Sequence, residues 1–502
     1  MTGAADATAR PAHPAGLDLE ELLPGASGRL RGVCLDSRLV QPGDLYVGLP
    51  GTRTHGARFA QAAAERGALA ILTDAAGAAL AAEALPVVLT DDPRVAMAGI
   101  AARVYGDPTS RVEVFGVTGT NGKTSTVFLL EAALGALGRR VATIGTIGFR
   151  LEGQPVDAAR TTITTPESPD LQGMMALMVE RGADTIAMEV SSHALALHRV
   201  DAISFDVAAF TMLGQDHLDF HKTLENYFQA KAQLFLGGRA RVAVVNVDDP
   251  HGRRLADMVR ADGHARLVTT AVDSDADYRV TEYGHAADGS AEVTLATPGG
   301  EVRFGLTMLG EFNVRNALTA LAMVGSAGLD VGRAATGLLA AQVPGRMQRV
   351  PLGPDDPHVI VDFGHTPQAV EAALTALPTT GRRIAVLGAG GDRDATKRGP
   401  MGAAAARHAD VVVVTDDNPR SEDPASIRAA VLAGAREAAS GGVRVVDGGD
   451  RRSAIRTALD MAGRHDWVAV LGKGHERGQD ISGVITPFDD VEVVRDLRGQ
   501  GE

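Results

Sequence analysis

Cysteine is almost missing from this chain of 502 residues: Cys34 stands alone, so no disulfide can form within the chain, and a reducing cytosol suits it. Long apolar runs are missing as well. The longest are strand-length and broken by Gly or charge, which excludes a helical membrane span. Positive charge is not in surplus, and a net charge of −13 without a sustained basic face argues against a general nucleic-acid binder. Aromatic residues make up only 4% while Ala, Gly and Arg dominate, a bias that points to a GC-rich genome and says little about function. Repeats and low-complexity segments are absent beyond Ala-rich helical stretches. Residues 1–15 lack the apolar core of a signal peptide and read as a flexible leader.

What remains is a chain of ordinary globular composition, 45% hydrophobic and 22% charged, and too long for one core. Three domains are expected after the leader, at 16–108, 109–343 and 344–502. Gly and Pro in Tyr105-Gly106-Asp107-Pro108 mark the first boundary, and Pro344-Gly345-Arg346 opens the last domain. The first domain alternates short strands with helices over 60–67 and 75–85. The second has strand candidates at 111–115, 141–144, 185–190, 205–211 and 242–247, with helices over 169–180 and 224–235 between them. A β-rich insertion over 267–306 and a helix over 313–327 follow. The third repeats the rhythm with strands at 358–362, 383–387, 411–415, 443–446 and 467–471. Alternating strand and helix predicts an α/β protein: a central P-loop-type, mostly parallel sheet, a C-terminal Rossmann-like α/β domain and a smaller N-terminal α/β domain.

The most informative segment is Gly116-Val117-Thr118-Gly119-Thr120-Asn121-Gly122-Lys123-Thr124, between a strand and a helix that includes Ser125 to Leu134. Backbone amides at a helix N-terminus gather phosphate oxygens, Lys123 can reach the β- and γ-phosphates, and the Thr124 hydroxyl can hold Mg²⁺. The common P-loop pattern places its first glycine at 117, whereas here it stands at 116. ATP is the expected ligand.

Other polar clusters follow strand candidates. Glu189 ends one strand ahead of Val190-Ser191-Ser192-His193, and Gln215-Asp216-His217-Leu218-Asp219 follows the next. A carboxylate and an imidazole there suit Mg²⁺ beside phosphates, although each residue taken alone also fits a simple cap. Lys231 sits on a helix, where spacing alone reads as a solvated surface charge. In the third domain, Asp362-Phe363-Gly364-His365, Gly388 to Asp394, Asp416-Asp417-Asn418-Pro419-Arg420 and Gly472-Lys473-Gly474-His475-Glu476 all follow strands. Ligands of open α/β sheets bind at the carboxyl ends of strands, so these four are expected to share one crevice.

Taken in order, Gly119 to Thr124, Met188 to His193, Asp216 to Asp219, Tyr227 to Lys231, Phe312-Asn313-Val314-Arg315-Asn316 and Val343 to Arg346 resemble the Mur ligase family over nearly the whole chain. That resemblance implies an ATP-dependent amide ligase of peptidoglycan precursor synthesis, cytoplasmic and monomeric. Its third-domain motifs imply that diaminopimelate is added to the D-glutamate γ-carboxyl of UDP-N-acetylmuramoyl-L-Ala-D-Glu through an acyl phosphate. By the same likeness, Lys123, Glu189, His217 and Lys231 are the catalytic set, with Lys231 carbamylated and joining Thr124, Glu189 and His217 around Mg²⁺. ATP is expected on Gly119, Thr120, Asn121, Gly122, Lys123, Thr124, Ser125, Asn313, Asn316, Arg346 and Asp362. The UDP substrate is expected on Ser37, Thr164, Thr165, Ser191 and Arg199. Diaminopimelate is expected on Arg393, Asp417, Asn418, Pro419, Arg420, Gly472 and Glu476, because the planar fork of Arg420 matches a distal carboxylate that lysine lacks. The chain departs from the family pattern at Met212 to Gln215, at Leu197, where a substrate-contacting Gln is usual, and at Ala389. His365 has no expected role.

Overall fold

The computed structural model describes residues 10–81, 83–156, 164–286 and 289–499. It is a mixed α/β protein dominated by parallel sheets. Two compact units divide the chain: Met1–Val280, Leu295–Val302 and Asn316–Gly337 form one, and Thr281–Thr294, Arg303–Arg315 and Leu338–Glu502 form the other.

In the first unit, Gly32–Cys34, Asp44–Gly48, Ala70–Thr73 and Val87–Leu89 make a parallel sheet in that order. Alternate residues serve opposite faces: Val33, Leu45, Val47 and Leu72 enter one apolar cluster, while Cys34, Tyr46 and Ile71 enter another. A sheet covered on both sides needs this arrangement. The end of the segment expected as a leader is tied down. Arg10 pairs with the buried Asp44 at 2.6 Å, and the Ala12 and His13 amides donate to the Glu180 carboxylate at 2.8 and 3.1 Å.

The central sheet has a parallel core in the order Val141–Gly145, Thr185–Glu189, Glu113–Thr118, Phe205–Phe210, Ala240–Asn246 and Arg266–Ala271, and Gly148–Leu151 and Gln154–Pro155 extend its Val141–Gly145 side antiparallel. Glu113–Thr118 comes first in the chain yet lies inside the sheet, so later strands add on both its sides. Its carboxyl end is the switch point at which such sheets hold ligands. The strand reaches three residues beyond the expected 115. The helix after it starts at Lys123, and the helix from Leu224 ends at Ala232 rather than 235.

In the second unit the sheet order is Gln348–Val350, His358–Asp362, Trp467–Leu471, Arg383–Leu387, Val411–Thr415 and Arg444–Gly449, with only the first strand antiparallel. Both faces are covered, by Ile360, Leu387, Val412 and Ala469 on one side and Val361, Val386, Val413 and Val470 on the other. Arg451 and Asp490 are wholly buried beneath this sheet, joined by two bonds of 2.7 Å, and Arg451 also donates to the Leu471 carbonyl at 3.1 Å. Among the described residues no helix is long and apolar enough to cross a membrane.

Removing one partner of an enclosed ion pair strands the other charge in a medium that cannot solvate it. Asp490→Asn is therefore expected to destabilise the second unit by about 3–5 kcal/mol. The sole tryptophan, Trp467, is buried in this unit and reports its unfolding in urea; an unmoved midpoint would contradict the assignment.

Candidate functional site

The loop after Glu113–Thr118 turns through two glycines with left-handed backbone, Gly119 (φ +151°) and Gly122 (φ +89°). Neither tolerates a side chain: a Cβ at 119 would lie 1.9 Å from Thr211 Oγ1, and one at 122 would lie 2.4 Å from Asn316 Oδ1. Gly116, one position early for the common pattern, answers to packing, since a Cβ there would lie 2.6 Å from the Phe205 ring. The loop is also pinned from the neighbouring strand. Thr120 N donates to Met212 O at 2.8 Å, Gly214 N to Thr120 Oγ1 at 2.8 Å, and Thr211 Oγ1 to Asn121 O at 2.6 Å. Asn121 sits at the turn itself, and Ser125 is buried in the first turn of the following helix.

Two lysines converge on one carbonyl. Lys123 Nζ donates to Gly119 O at 2.8 Å and Thr120 O at 2.9 Å, and Lys231 Nζ donates to Gly119 O at 2.8 Å. Lys231 is only 1% exposed and its nitrogen lies 4.5 Å from the centre of the Tyr227 ring. Spacing alone had suggested a surface charge; the fold buries it instead. Burial first, and the charge of Lys123 second, hold the Lys231 amine well below its ordinary range.

Glu189 is buried at the end of its strand. Its Oε1 accepts from Thr124 Oγ1 at 3.0 Å and Thr146 N at 2.8 Å, and its Oε2 from Thr146 Oγ1 at 3.2 Å. His217 has left-handed backbone (φ +53°), and its ring stacks edge-on to His193, centres 4.7 Å apart, and faces Tyr227 at 6.1 Å. Partial burial chiefly, with help from Lys123 and Lys231, lowers its affinity for a proton, which leaves a neutral imidazole able to act as ligand. Hydroxyl, carboxylate and neutral imidazole are all donors that Mg²⁺ accepts. Among the described residues, however, no three His, Cys, Asp or Glu side chains gather at metal-binding distance.

Thr165 Oγ1 bonds Glu189 O at 2.9 Å and accepts from Ser191 N at 3.1 Å, while Thr164 Oγ1 lies 3.1 Å from Thr146 Oγ1. Arg199 reaches Thr165 O at 3.0 Å and Glu167 at 2.9 Å. Four of the five residues expected at the UDP substrate thus form one connected group beside Glu189. Ser37 sits in the exposed turn closed by the 2.6 Å Asp36–Arg38 pair, and no described contact links it to that group.

The second unit gathers its own cluster. Asn418 Nδ2 donates to Glu476 Oε2 at 2.8 Å, Gln479 Nε2 to Asp417 O at 2.7 Å, and Arg420 Nη1 to Gly391 O at 2.6 Å. Gly391 N in turn donates to Asn418 O at 2.9 Å, and a Cβ on Gly391 would strike Pro419 O at 1.9 Å. Gly472 has φ +112° and donates to Asp362 O at 3.0 Å. Arg393 is exposed on the neighbouring loop. Burial pushes the Asp417 carboxyl up, against the pull of Arg451 and Lys473. Asp362 accepts from Met347 N at 2.8 Å and Gly364 N at 2.7 Å; burial raises it too, opposed by Arg346, whose guanidinium covers the Phe363 ring at 4.4 Å. Asn313 is buried and donates to Leu309 O at 2.8 Å. His365 bonds the nearby Phe363 carbonyl, at 3.0 Å, and meets the Phe363 ring edge-on, which fits a local ordering role.

Three participants escaped the sequence. Thr146 is polar in an unremarkable turn and carried no signal. His221 bonds Ser192 at 2.9 Å inside the His193–His217 cluster, and its i,i+4 relation to His217 was the available clue. Lys473 lies inside a quoted motif but had no role there.

Three family models match consecutive segments: "Mur ligase family, catalytic domain" at 29–105, "Mur ligase middle domain" at 117–324, and "Mur ligase, glutamate ligase domain" at 345–474. A Streptomyces coelicolor protein named UDP-N-acetylmuramoyl-L-alanyl-D-glutamate--2,6-diaminopimelate ligase is 47% identical, over 94% of this chain and 93% of its own. A Leifsonia xyli protein named UDP-N-acetylmuramyl-tripeptide synthetase is 44% identical, over 97% of each. A solved structure of a UDP-N-acetylmuramoyl-L-alanyl-D-glutamate--2,6-diaminopimelate ligase superposes with a TM-score of 0.72 at 31% identity, covering 96% of this chain and 99% of that one. This likeness spans both units and every cluster described above, and the chain belongs to the Mur ligase family.

Proposed function

We propose that this chain is the ATP-dependent ligase that joins diaminopimelate to the D-glutamate γ-carboxyl of UDP-N-acetylmuramoyl-L-Ala-D-Glu, as a monomer in the cytoplasm and with no nucleic-acid partner. The names carried by the Streptomyces coelicolor relative and the superposing structure support the substrate pair. One observation carries the chemistry: the enclosed amine of Lys231 beside the glycine loop. We read 16–108 as the domain for the UDP substrate, 109–343 for ATP and 344–502 for the amino acid.

The amides and helix start at Gly119 to Ser125 cradle the triphosphate, and Lys123 swings from its own loop carbonyls to the β- and γ-phosphates. Asn313, Asn316, Arg346 and Asp362 hold the rest of the nucleotide. Lys231, unprotonated by burial, adds its nitrogen to CO₂ and sheds a proton, which turns a neutral amine near the phosphates into an anion. Thr124, Glu189, His217 and that carbamate are the side chains that would hold Mg²⁺. When bound, the ion neutralises charge that builds on the γ-phosphoryl oxygens. Ser37, Thr164, Thr165, Ser191 and Arg199 orient the UDP substrate so that its γ-carboxylate takes the phosphoryl group, releasing ADP. The amine of diaminopimelate, after losing a proton, then attacks the acyl phosphate, and an amide forms as phosphate leaves. Most of the rate comes from positioning and charge stabilisation.

Arg420 receives the distal carboxylate and Glu476 the distal ammonium, with Asp417, Asn418, Pro419, Gly472 and Arg393 shaping the pocket. ADP release is measured with the UDP-muramoyl-dipeptide and a panel of meso- and LL-diaminopimelate, lysine and ornithine. Arg420→Ala is expected to lower kcat/KM for diaminopimelate by about thirty- to several thousand-fold, the worth of roughly 2–5 kcal/mol for a stranded charge. An unchanged kcat/KM refutes the assignment. Lys231→Met is expected to abolish ADP release, and stripping CO₂ from the buffer to slow the native enzyme; full rates in either case rule out the carbamate.

A further inference from the structure

Lys473 is charged, wholly buried, and unused by the chemistry above. An ammonium stays inside a protein only where acceptors enclose it. Its Nζ donates to Gly478 O at 2.6 Å and Asn418 Oδ1 at 3.3 Å, and stands 3.4 Å from Glu476 Oε2 and 3.8 Å from Asp417 Oδ1. These partners follow two strands that are not neighbours, Val411–Thr415 and Trp467–Leu471, with Arg383–Leu387 between them. One nitrogen therefore joins two loops across an intervening strand.

Each contact has a chemical consequence. An ammonium only donates, so it selects the orientation of the Asn418 amide: Oδ1 faces Lys473 and the Asp480 amide (3.0 Å), and Nδ2 must face Glu476 Oε2. Oε2 of Glu476 is then engaged by both Asn418 and Lys473, which leaves Oε1 to meet a ligand. Asp417 Oδ1 is buried without a hydrogen-bond partner among the described residues, and Lys473 supplies a cation close to it. Without that cation, only Arg451 is left to oppose the burial that pushes the Asp417 carboxyl up.

We propose that Lys473 is the positioning residue of the amino-acid subsite: it sets the Asn418 amide and, with it, holds Glu476 through Oε2 beside the buried Asp417, so that Oε1 awaits the distal ammonium of the diamino acid. This rests on the ligase reading and adds to it a residue that, being enclosed, acts only through its neighbours.

The test uses the full chain and ADP release, varying diaminopimelate and then ATP. Lys473→Met is expected to raise KM for diaminopimelate roughly 30-fold or more, while KM for ATP stays within about twofold. Because the buried Asp417 carboxyl loses a nearby cation and holds its proton longer, the acid limb of the pH profile of kcat/KM for diaminopimelate moves to higher pH. Lys473→Arg restores part of both effects. Should the Met variant fail to fold, Asn418→Asp keeps the ammonium bonded but replaces the amide donor, and the same rise in diaminopimelate KM alone is expected. An unmoved diaminopimelate KM, or a loss shared equally by all substrates with no shift in the pH profile, overturns the proposal. A native enzyme that releases no ADP with any diamino acid overturns the ligase reading as well; one that responds to diaminopimelate beside an indifferent Lys473 variant overturns this inference alone.

Discussion

The nucleotide loop depends on a single carbonyl oxygen, that of Gly119, which receives the side-chain nitrogens of both Lys123 and Lys231. Burial first, and the neighbouring charge of Lys123 second, hold the enclosed Lys231 amine well below its ordinary range. The glycines make the meeting possible. With no room at 119 or 122 for even a methyl group, the backbone comes close enough to Thr211 and Asn316 for the loop to be held from both sides. Depth is what separates the two lysines: Lys231 is almost wholly enclosed, whereas Lys123 is only partly so.

The second unit solves the opposite problem, keeping acids charged in an enclosed place. Asp417 is pushed toward its neutral form by burial and pulled back by Arg451 and Lys473, and Arg451 is itself neutralised by Asp490. The chain of alternating charge runs from a buried helix to the loops at the strand ends. Such a network is costly to build and intolerant of single losses. Its value lies in fixing directions: each carboxylate and amide has one orientation that satisfies its neighbours.

Much of this was readable from the residues. The strands His358–Asp362, Arg383–Leu387, Val411–Thr415 and Trp467–Leu471 stand where expected, because parallel strands covered on both faces read as unbroken apolar runs ended by Gly or Asp. Strand Arg444–Gly449 and helix Ala75–Ala81 differ at their ends, where Gly and Ala leave the pattern ambiguous. The glycine loop shows how local signals mislead: Gly116 looked like the start of a turn, yet it belongs to the strand and is glycine because Phe205 packs on it. The edge strand Gln348–Val350 is too short and polar to announce itself. Burial of Lys231 and Lys473 could not be read from spacing, because it is set by residues more than fifty positions away. Family resemblance recovered the first and was silent on the second.

Arg420 has a left-handed backbone (φ +52°) and is hydrogen-bonded on both sides to the hairpin that follows, its amide to Asp480 O at 3.0 Å and its carbonyl to Ser482 N at 2.7 Å. That hairpin pairs Gly478–Ile481 with Val484–Pro487 and turns Val484 and Ile485 outward. The residue proposed to receive the distal carboxylate of the amino acid is thus tied to a surface ribbon. Retuning the pocket does not require touching the guanidinium: a change of length or twist in the ribbon carries it along, and the rest of the scaffold stays as it was.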